Sequence, residues 1–283
     1  MFSYIIGLVA LLVVFYNPIM DMVSHETAPQ LRRTPLGNLN TTLLALEDDG
    51  APNGTDLQCP HDKYSIHIYS REPLVIYIEG FLSDDERSHL LEISEPIFAP
   101  STTTSDGGAT TNRDTSVRDS EVAMIPRTSS VRCIEARARA LQGWREQVWV
   151  ERLRTQRYYP GGHYNHHFDW SSGRGGWGRV SSFMAWVGDD KDLQGGGTEF
   201  PLLGTRTDQR WCRFVECPDG GQAEDGEIET GTVFKPVAGN AVYWENFRSD
   251  GTGRGYKESW HAGLPVEKGV KVGLNIWSWG YIE

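Results

Sequence analysis

The chain has 283 residues, 39% of them hydrophobic and 23% charged, with a formal net charge of -11 and a pI near 5.2. That length and balance suffice for one sizeable globular domain with an appendage. The acidic balance argues against a nucleic-acid partner.

The first twenty residues, MFSYIIGLVALLVVFYNPIM, carry no charged side chain before Asp21. They are long and apolar enough for a signal anchor or a signal-peptide core. The basic n-region and small-x-small cleavage site of a signal peptide are both missing, so a membrane anchor over residues 1–20 is expected, with a cleaved signal peptide as the alternative. Residues 21–56 read as a polar linker that contains two glycosylation sequons, Asn40-Thr41-Thr42 and Asn53-Gly54-Thr55. Residues 57–283 then form the domain.

Within the domain, LSDDERSHLLEIS predicts a helix, opened by Ser83 as N-cap with Glu86 three residues later. The stretch APSTTTSDGGATTN, residues 99 to 112, has almost no apolar residues, cannot bury itself, and reads as a lid or a passive surface loop. A second helix is predicted over SSVRCIEARARALQGW, where basic residues alternate with glutamate as on a solvated face. The remainder shows many short strand patterns punctuated by glycine, such as RVSSFMAWVG, and GTVFKPVAGNAVYWENF reads as two strands around a Gly-Asn turn. The expected fold class is a β-rich α+β domain, a double-stranded β-helix (jelly roll) flanked by helices and preceded by the hydrophobic segment.

GGHYNHHFDW, residues 161 to 170, packs three histidines and an aspartate into ten positions. Read as a strand with strict period two, it puts His163, Asn165, His167 and Asp169 on one face and His166 on the other. Of the histidines in this stretch only His167 has a carboxylate two residues on, and an HxD pair needs a third ligand to make the 2-His-1-carboxylate site of a non-haem iron oxygenase. His25 and His61 lie in or beside the linker and His89 on a helix, which leaves His261, at the head of a strand-rich end, as the candidate. In GVKVGLNIW the same period puts Lys271, Gly273, Asn275 and Trp277 opposite the aliphatic Val270, Val272, Leu274 and Ile276. A lysine directed into an enclosed space requires an anion.

These residues resemble the prolyl 4-hydroxylase family (alpha-subunit-like) of Fe(II)/2-oxoglutarate-dependent dioxygenases, in which HxD, a distal His and a Lys ten residues later carry iron and cosubstrate. The resemblance spans residues 74 to 283 and four blocks: DSEVAMIPRTSS, YYPGGHYNHHFD, GGGTEFP and WHAGLPVEKGVK. It implies that His167, Asp169 and His261 ligate Fe(II), and that Lys271, helped by Tyr158 and Thr198, binds the distal carboxylate of 2-oxoglutarate. It places substrate contacts at Arg127, Ser129, Glu151, Tyr164, Arg179 and Trp277, for which core packing (the aromatics) and surface ion pairs (Arg127, Arg179) are the structural alternatives. It also implies O2 as cosubstrate and L-ascorbate as a requirement. Two positions depart from the pattern: Gly197 stands where the family has Glu, and Val272 where Trp follows the lysine.

Four cysteines are an even number, and CRFVEC sets Cys212 and Cys217 close enough for a small disulfide loop, with Cys59 and Cys133 available as a second pair. A zinc site from these thiols would lack CxxC spacing. The apolar start, sequons and even cysteines together favour the endoplasmic reticulum membrane with a lumenal catalytic domain, secretion being the alternative. The expected reaction is a procollagen-proline 4-dioxygenase-like hydroxylation of a proline-containing peptide or protein. The alternatives are the same chemistry on a small molecule or nonribosomal peptide, and a non-catalytic jelly roll that binds sugar or protein. No sequence feature specifies a partner subunit.

Overall fold

The computed structural model describes residues 41–46, 57–105, 110–145, 147–170, 176–188, 190–206, 208–217, 230–250 and 252–282. The expected anchor, residues 1–20, and both sequon asparagines lie outside the described residues. Among those described, no helix is long and apolar enough to cross a membrane.

In chain order the elements begin with strands β1 (Ser65–Arg71) and β2 (Leu74–Glu79) and helix α1 (Asp84–Ser94). The short strands β3 (Ala99–Pro100), β4 (Thr103–Ser105), β5 (Thr110–Asn112), β6 (Arg118–Asp119) and β7 (Glu121–Met124) lead to helix α2 (Ser129–Leu141). The site-bearing region follows as β8 (Val148–Val150), β9 (Arg154–Tyr158), β10 (His163–His167), β11 (Trp177–Trp186), β12 (Gln194–Gly195) and β13 (Thr198–Gly204). It closes with β14 (Thr230–Phe234), β15 (Ala241–Glu245), β16 (His261–Gly263), β17 (Val266–Lys268) and β18 (Lys271–Tyr281).

Two antiparallel sheets face each other. The larger runs β1-β2-β15-β11-β18-β9-β7-β3, with β8 beside the end of β18, and the smaller runs β14-β13-β16-β10-β6. Alternation along the central strands sorts side chains into two cores. Phe183, Ala185, Tyr243, Leu274 and Ile276 point to the helical layer, where they meet Leu90 of α1 and Val131, Ile134, Ala138 and Leu141 of α2. Trp186, Val242 and Trp244 point between the sheets, against Phe200 and Phe234 of the smaller one. This is the expected jelly roll with helices on one side.

Both helices start where the sequence predicts. Ser83 Oγ accepts from the Glu86 amide at 3.2 Å while Glu86 Oε2 accepts from the Ser83 amide at 2.9 Å. The Thr128 hydroxyl caps α2 by accepting from the Val131 amide at 3.3 Å. The face of α2 read as solvated is only partly so. Arg137 is buried and donates to Glu86 of α1 at 2.8 Å, to the Phe81 carbonyl at 2.7 Å, and to Asp62. Glu135 is likewise buried, against Arg127. Sequence charge alone cannot separate a solvated ion pair from one that ties two helices together.

The low-apolar stretch at 99 to 112 contributes β3 to the large sheet, and β4 pairs with β5 as a separate two-stranded ribbon. Residues 106–109 lie outside the described residues.

The linker reading of residues 21–56 needs correction over 41–46. Leu44 is 1% exposed, the Ala45 amide donates to the Val150 carbonyl at 2.8 Å, and the Arg152 amide donates to the Leu43 carbonyl at 2.8 Å. One apolar residue in a polar stretch gives no period to detect, so only the docking reveals its role. Leu44→Ala is expected to lower unfolding free energy by about 2–5 kcal/mol, as for other fully buried leucines, measurable by urea titration. A fragment beginning at residue 57 should melt below one beginning at Asn38, the start of the compact unit.

Candidate metal centre and its pocket

Strands of both sheets line one pocket. Its lining comes from Gln156 and Tyr158 of β9, Tyr164 and His167 of β10, Asp169, Met184 of β11, Thr198 of β13, Trp244 of β15, His261 and Gly263 of β16, and Lys271 and Asn275 of β18.

His167, Asp169 and His261 converge there, with ligand-capable atoms all within 4.8 Å of one another. His167 Nε2 is 3.6 Å from Asp169 Oδ1, and His261 Nε2 is 3.8 Å from Asp169 Oδ2. Strand pairing sets this up, because His167 stands opposite His261 in the β10–β16 register. Each imidazole is oriented from behind: His167 Nδ1 donates to the Asn165 carbonyl at 2.8 Å, and His261 Nδ1 to the Ser259 carbonyl at 2.9 Å. A carbonyl can only accept, so Nδ1 carries the proton and a neutral ring turns the Nε2 lone pair toward Asp169.

Electrostatics keep Asp169 and His261 in their ligating forms. Burial alone would raise the Asp169 carboxyl, but His261, His167 and Arg179 outweigh it and hold the group far below the ordinary carboxylate range. Burial first, and then the His167 ring, push His261 down to about 4, so it is neutral at physiological pH. One anionic oxygen donor and two neutral nitrogen donors, with hydrogen bonds behind both rings, fit a divalent iron and leave its other positions open.

The strict period-two reading of residues 163–169 fails at one point. Between Tyr164 and His167 the β10 register slips: Tyr164 pairs with Gly263 while His167 pairs with His261, so the two residues Asn165 and His166 on β10 oppose the single Ala262 on β16. The bulge turns Tyr164 to the pocket face, where its ring stacks on His167 with centroids 3.7 Å apart. His163 and Asn165 are left outside the pocket, held by the Gly161 and Ser116 carbonyls. His166 pairs with Glu199 at 2.7 Å.

Along β18, alternation acts as predicted. Val272, Leu274 and Ile276 join the helical core, and Lys271 and Asn275 line the pocket. Lys271 is 2% exposed, its ammonium 5.3 Å from the Tyr158 ring centroid, and among the described residues it makes no ion pair. Burial lowers its pKa to about 8. Around it, the Thr198 hydroxyl and the Gln156 amide nitrogen are buried without partners, while the Tyr158 hydroxyl donates to Gln156 Oε1 at 3.0 Å. A buried cation ringed by unfilled hydrogen-bonding groups is a receptor for a carboxylate.

The residues expected to touch substrate fall into two groups. Glu151, Arg179, Tyr164 and Trp277 gather beside the triad. Glu151, 1% exposed, accepts from Arg179 Nε at 2.5 Å and from Trp279 Nε1 at 2.5 Å, and Arg179 Nη1 donates to the Asp169 carbonyl at 3.3 Å. The Arg179 guanidinium lies 4.1 Å from the Trp277 ring centroid. Arg127 and Ser129 sit elsewhere, at the start of α2: Arg127 pairs with Glu135 at 2.8 Å and donates to the Leu46 carbonyl at 2.6 Å, and neither residue lines the pocket. At Gly197 the space for a larger side chain is taken, since a Cβ there would run into Val233 Cγ1. Val272 packs in the core. Sequence reading missed Gln156, Met184 and Trp244 in the lining. Alternation from Tyr158 back along β9 would have found Gln156.

Residues 153–279 match the profile described as the 2OG-Fe(II) oxygenase superfamily. No curated protein matches the chain. Among solved structures, the fold is similar to a viral collagen prolyl hydroxylase from Paramecium Bursaria Chlorella virus-1, solved as its 2OG complex, at 23% identity and TM-score 0.50, covering 73% of this chain and 96% of that one. A Pseudomonas putida prolyl-4-hydroxylase matches at 16% identity and TM-score 0.44, over 76% and 91% of the two chains. A Trichoplax adhaerens prolyl hydroxylase in complex with a hypoxia inducible factor peptide matches at 12% identity and TM-score 0.47, over 74% and 83%.

Proposed function

From the match of residues 153–279 to the 2OG-Fe(II) oxygenase superfamily, we propose that the chain is such an oxygenase and hydroxylates a peptidyl proline, with 2-oxoglutarate and O2 as cosubstrates. The observation that carries the reading is a His-Asp-His cluster sharing one pocket with a buried, unpaired lysine. Likeness in fold to a viral collagen prolyl hydroxylase supports proline as the target.

His167, Asp169 and His261 would hold Fe(II) through the two Nε2 atoms and the carboxylate. The bound metal would supply oxidative decarboxylation of 2-oxoglutarate to succinate, coupled to oxygen insertion into an unactivated C–H bond. Everything else is the work of the chain. Lys271 binds the distal carboxylate of the cosubstrate, with Thr198 and Tyr158 as hydrogen-bonding neighbours. Arg179, bridging Glu151 to the Asp169 carbonyl, fixes the loop that presents the carboxylate ligand. Trp244 and Met184 line the wall and exclude water from the reacting region. Tyr164, stacked on His167, lines the pocket beside the metal site and helps to fix the imidazole.

A lumenal setting accords with two disulfides, Cys59–Cys133 and Cys212–Cys217, which leave no free cysteine. The N-terminal apolar segment would then act as the anchor, and ascorbate would maintain ferrous iron.

The test is succinate release by residues 38–283 with Fe(II), 2-oxoglutarate and ascorbate, against proline-rich peptides. Peptide-stimulated succinate together with a mass gain of one oxygen on proline is the expected result. Slow succinate release that no peptide stimulates would overturn proline as the target and favour a small-molecule substrate.

A further inference from the structure

Along β9, Tyr158 and Gln156 line the pocket and alternation puts Arg154 next on the same strand face, just beyond the lining; on β18 Lys271 and Asn275 line it, Asn275 stands opposite Arg154, and Trp277 follows on the same face. Arg154 is four residues from Tyr158, or about 13 Å along a strand. A group at Lys271 therefore does not reach it. Two more arginines join Arg154 there. Arg154 and Arg179 lie 4.8 and 4.1 Å from the centroid of Trp277. Arg118 of β6 stands opposite Tyr164 in register, with its guanidinium 4.6 Å from that ring centroid.

Three guanidiniums thus share one carboxylate outside the triad. Glu151 is the acid among them, and it is largely taken by Arg179 and Trp279, reaching Arg154 only at 3.4 Å. Asp169 is committed to the triad. Arg118 makes one side-chain hydrogen bond, to Ser120 at 3.0 Å, and no ion pair among the described residues. Arg118 Nη2 and Arg154 Nε are buried with no partner. The neighbouring Arg179 and Arg118 charges also oppose protonation of Arg154, after burial the main cause of its lowered pKa. On a chain of net charge -11 this is a local positive excess with unused donors.

We propose that Arg118 and Arg154 form an anion subsite that takes a carboxylate of the substrate beside its hydroxylated residue, so that the preferred peptide carries an acidic group near the target. This rests on the oxygenase reading for the place of the substrate, and not on proline as its target. The carboxylate comes either from an Asp or Glu side chain or from the free C-terminus of a peptide.

Three proline-rich peptides separate the sources: one with a Glu next to proline and an amidated end, one neutral with a free C-terminus, and one neutral and amidated. Binding to residues 38–283 is read by tryptophan fluorescence, alongside peptide-dependent succinate. The wild-type chain should bind one of the two carboxylate peptides about tenfold tighter than the neutral amidated one, and only that preference should fall with added salt. Arg118→Gln and Arg154→Gln should each remove about tenfold of that preference, raising peptide KM while leaving the slow peptide-independent succinate release unchanged. Arg154→Lys should restore part of it. Equal binding of all three peptides, or equal weakening of all three by the variants, would overturn the subsite. Preferred binding of a carboxylate peptide without oxygen on proline would leave the subsite standing and sink only the proline reading.

Discussion

Asp169→Asn is expected to cut peptide-dependent succinate formation by more than about a thousandfold while the chain stays folded. Groups behind metal ligands already cost 10–100-fold when lost, and in the proposed site Asp169 is one of three candidate donors and the sole anion among them. The substitution keeps side-chain volume and leaves the Arg179 bond to the residue 169 carbonyl, which is backbone, in place. Melting temperature should therefore move by only a few degrees. Metal content after dialysis against Fe(II) or Co(II) under argon reads the ligand role independently of turnover. Retained stoichiometric metal in the Asn variant would exclude Asp169 as a ligand.

Lys271→Met should raise the KM for 2-oxoglutarate by about a hundredfold or more, because a carboxylate bound in that pocket would lose its counter-ion in a buried setting. Metal binding should be unaffected. The same variant should be more stable than the wild-type chain when both lack cosubstrate. A lysine lowered from 10.5 to about 8 by burial alone carries a charge the fold disfavours by roughly 3 kcal/mol. For a base whose folded pKa is depressed, that cost is fully present below about pH 8 and fades as pH rises toward 10.5. The gap between variant and wild type should accordingly be widest at neutral pH and close in alkali. Guanidinium titrations at pH 7 and pH 10 measure it, and an equal gap at both would mean that the ammonium has a partner. Saturating 2-oxoglutarate should reverse the order of stability at pH 7, since only the wild type gains by binding.

Much of this site is legible in the primary structure because its components are short-range. His167 and Asp169 sit two apart, and Lys271 heads a strand whose aliphatic half is Val272, Leu274 and Ile276. Period two is a property of the strand itself, so the division of β18 into a buried face and a pocket face follows from residue order. The capping box that opens α1 and the Thr128 cap of α2 are local in the same way. Polar side chains inside the fold are harder to read. Arg137, which looks like any surface arginine in RARAL, is buried because Glu86 arrives from another helix.

The bulge in β10 shows where residue order stops. Nothing in HYNHH marks one extra residue, and the slip exists only against β16, whose Gly263 and His261 take Tyr164 and His167 as partners. It decides that Tyr164 lines the pocket and that His163 does not. Leu44 and the arginines at 118 and 154 are of the same kind, since each acquires its role from a segment far away in the chain. The sequence by itself determined the donor set, the lysine and the alternation that aims them, because a strand's own geometry repeats every two residues. The tertiary structure alone decided register, the docked strap at residues 41–46 and the shared positive charge around Trp277. Those depend on which strands become neighbours, and pairing across the fold is set by the packing of the whole core rather than by any local run of residues.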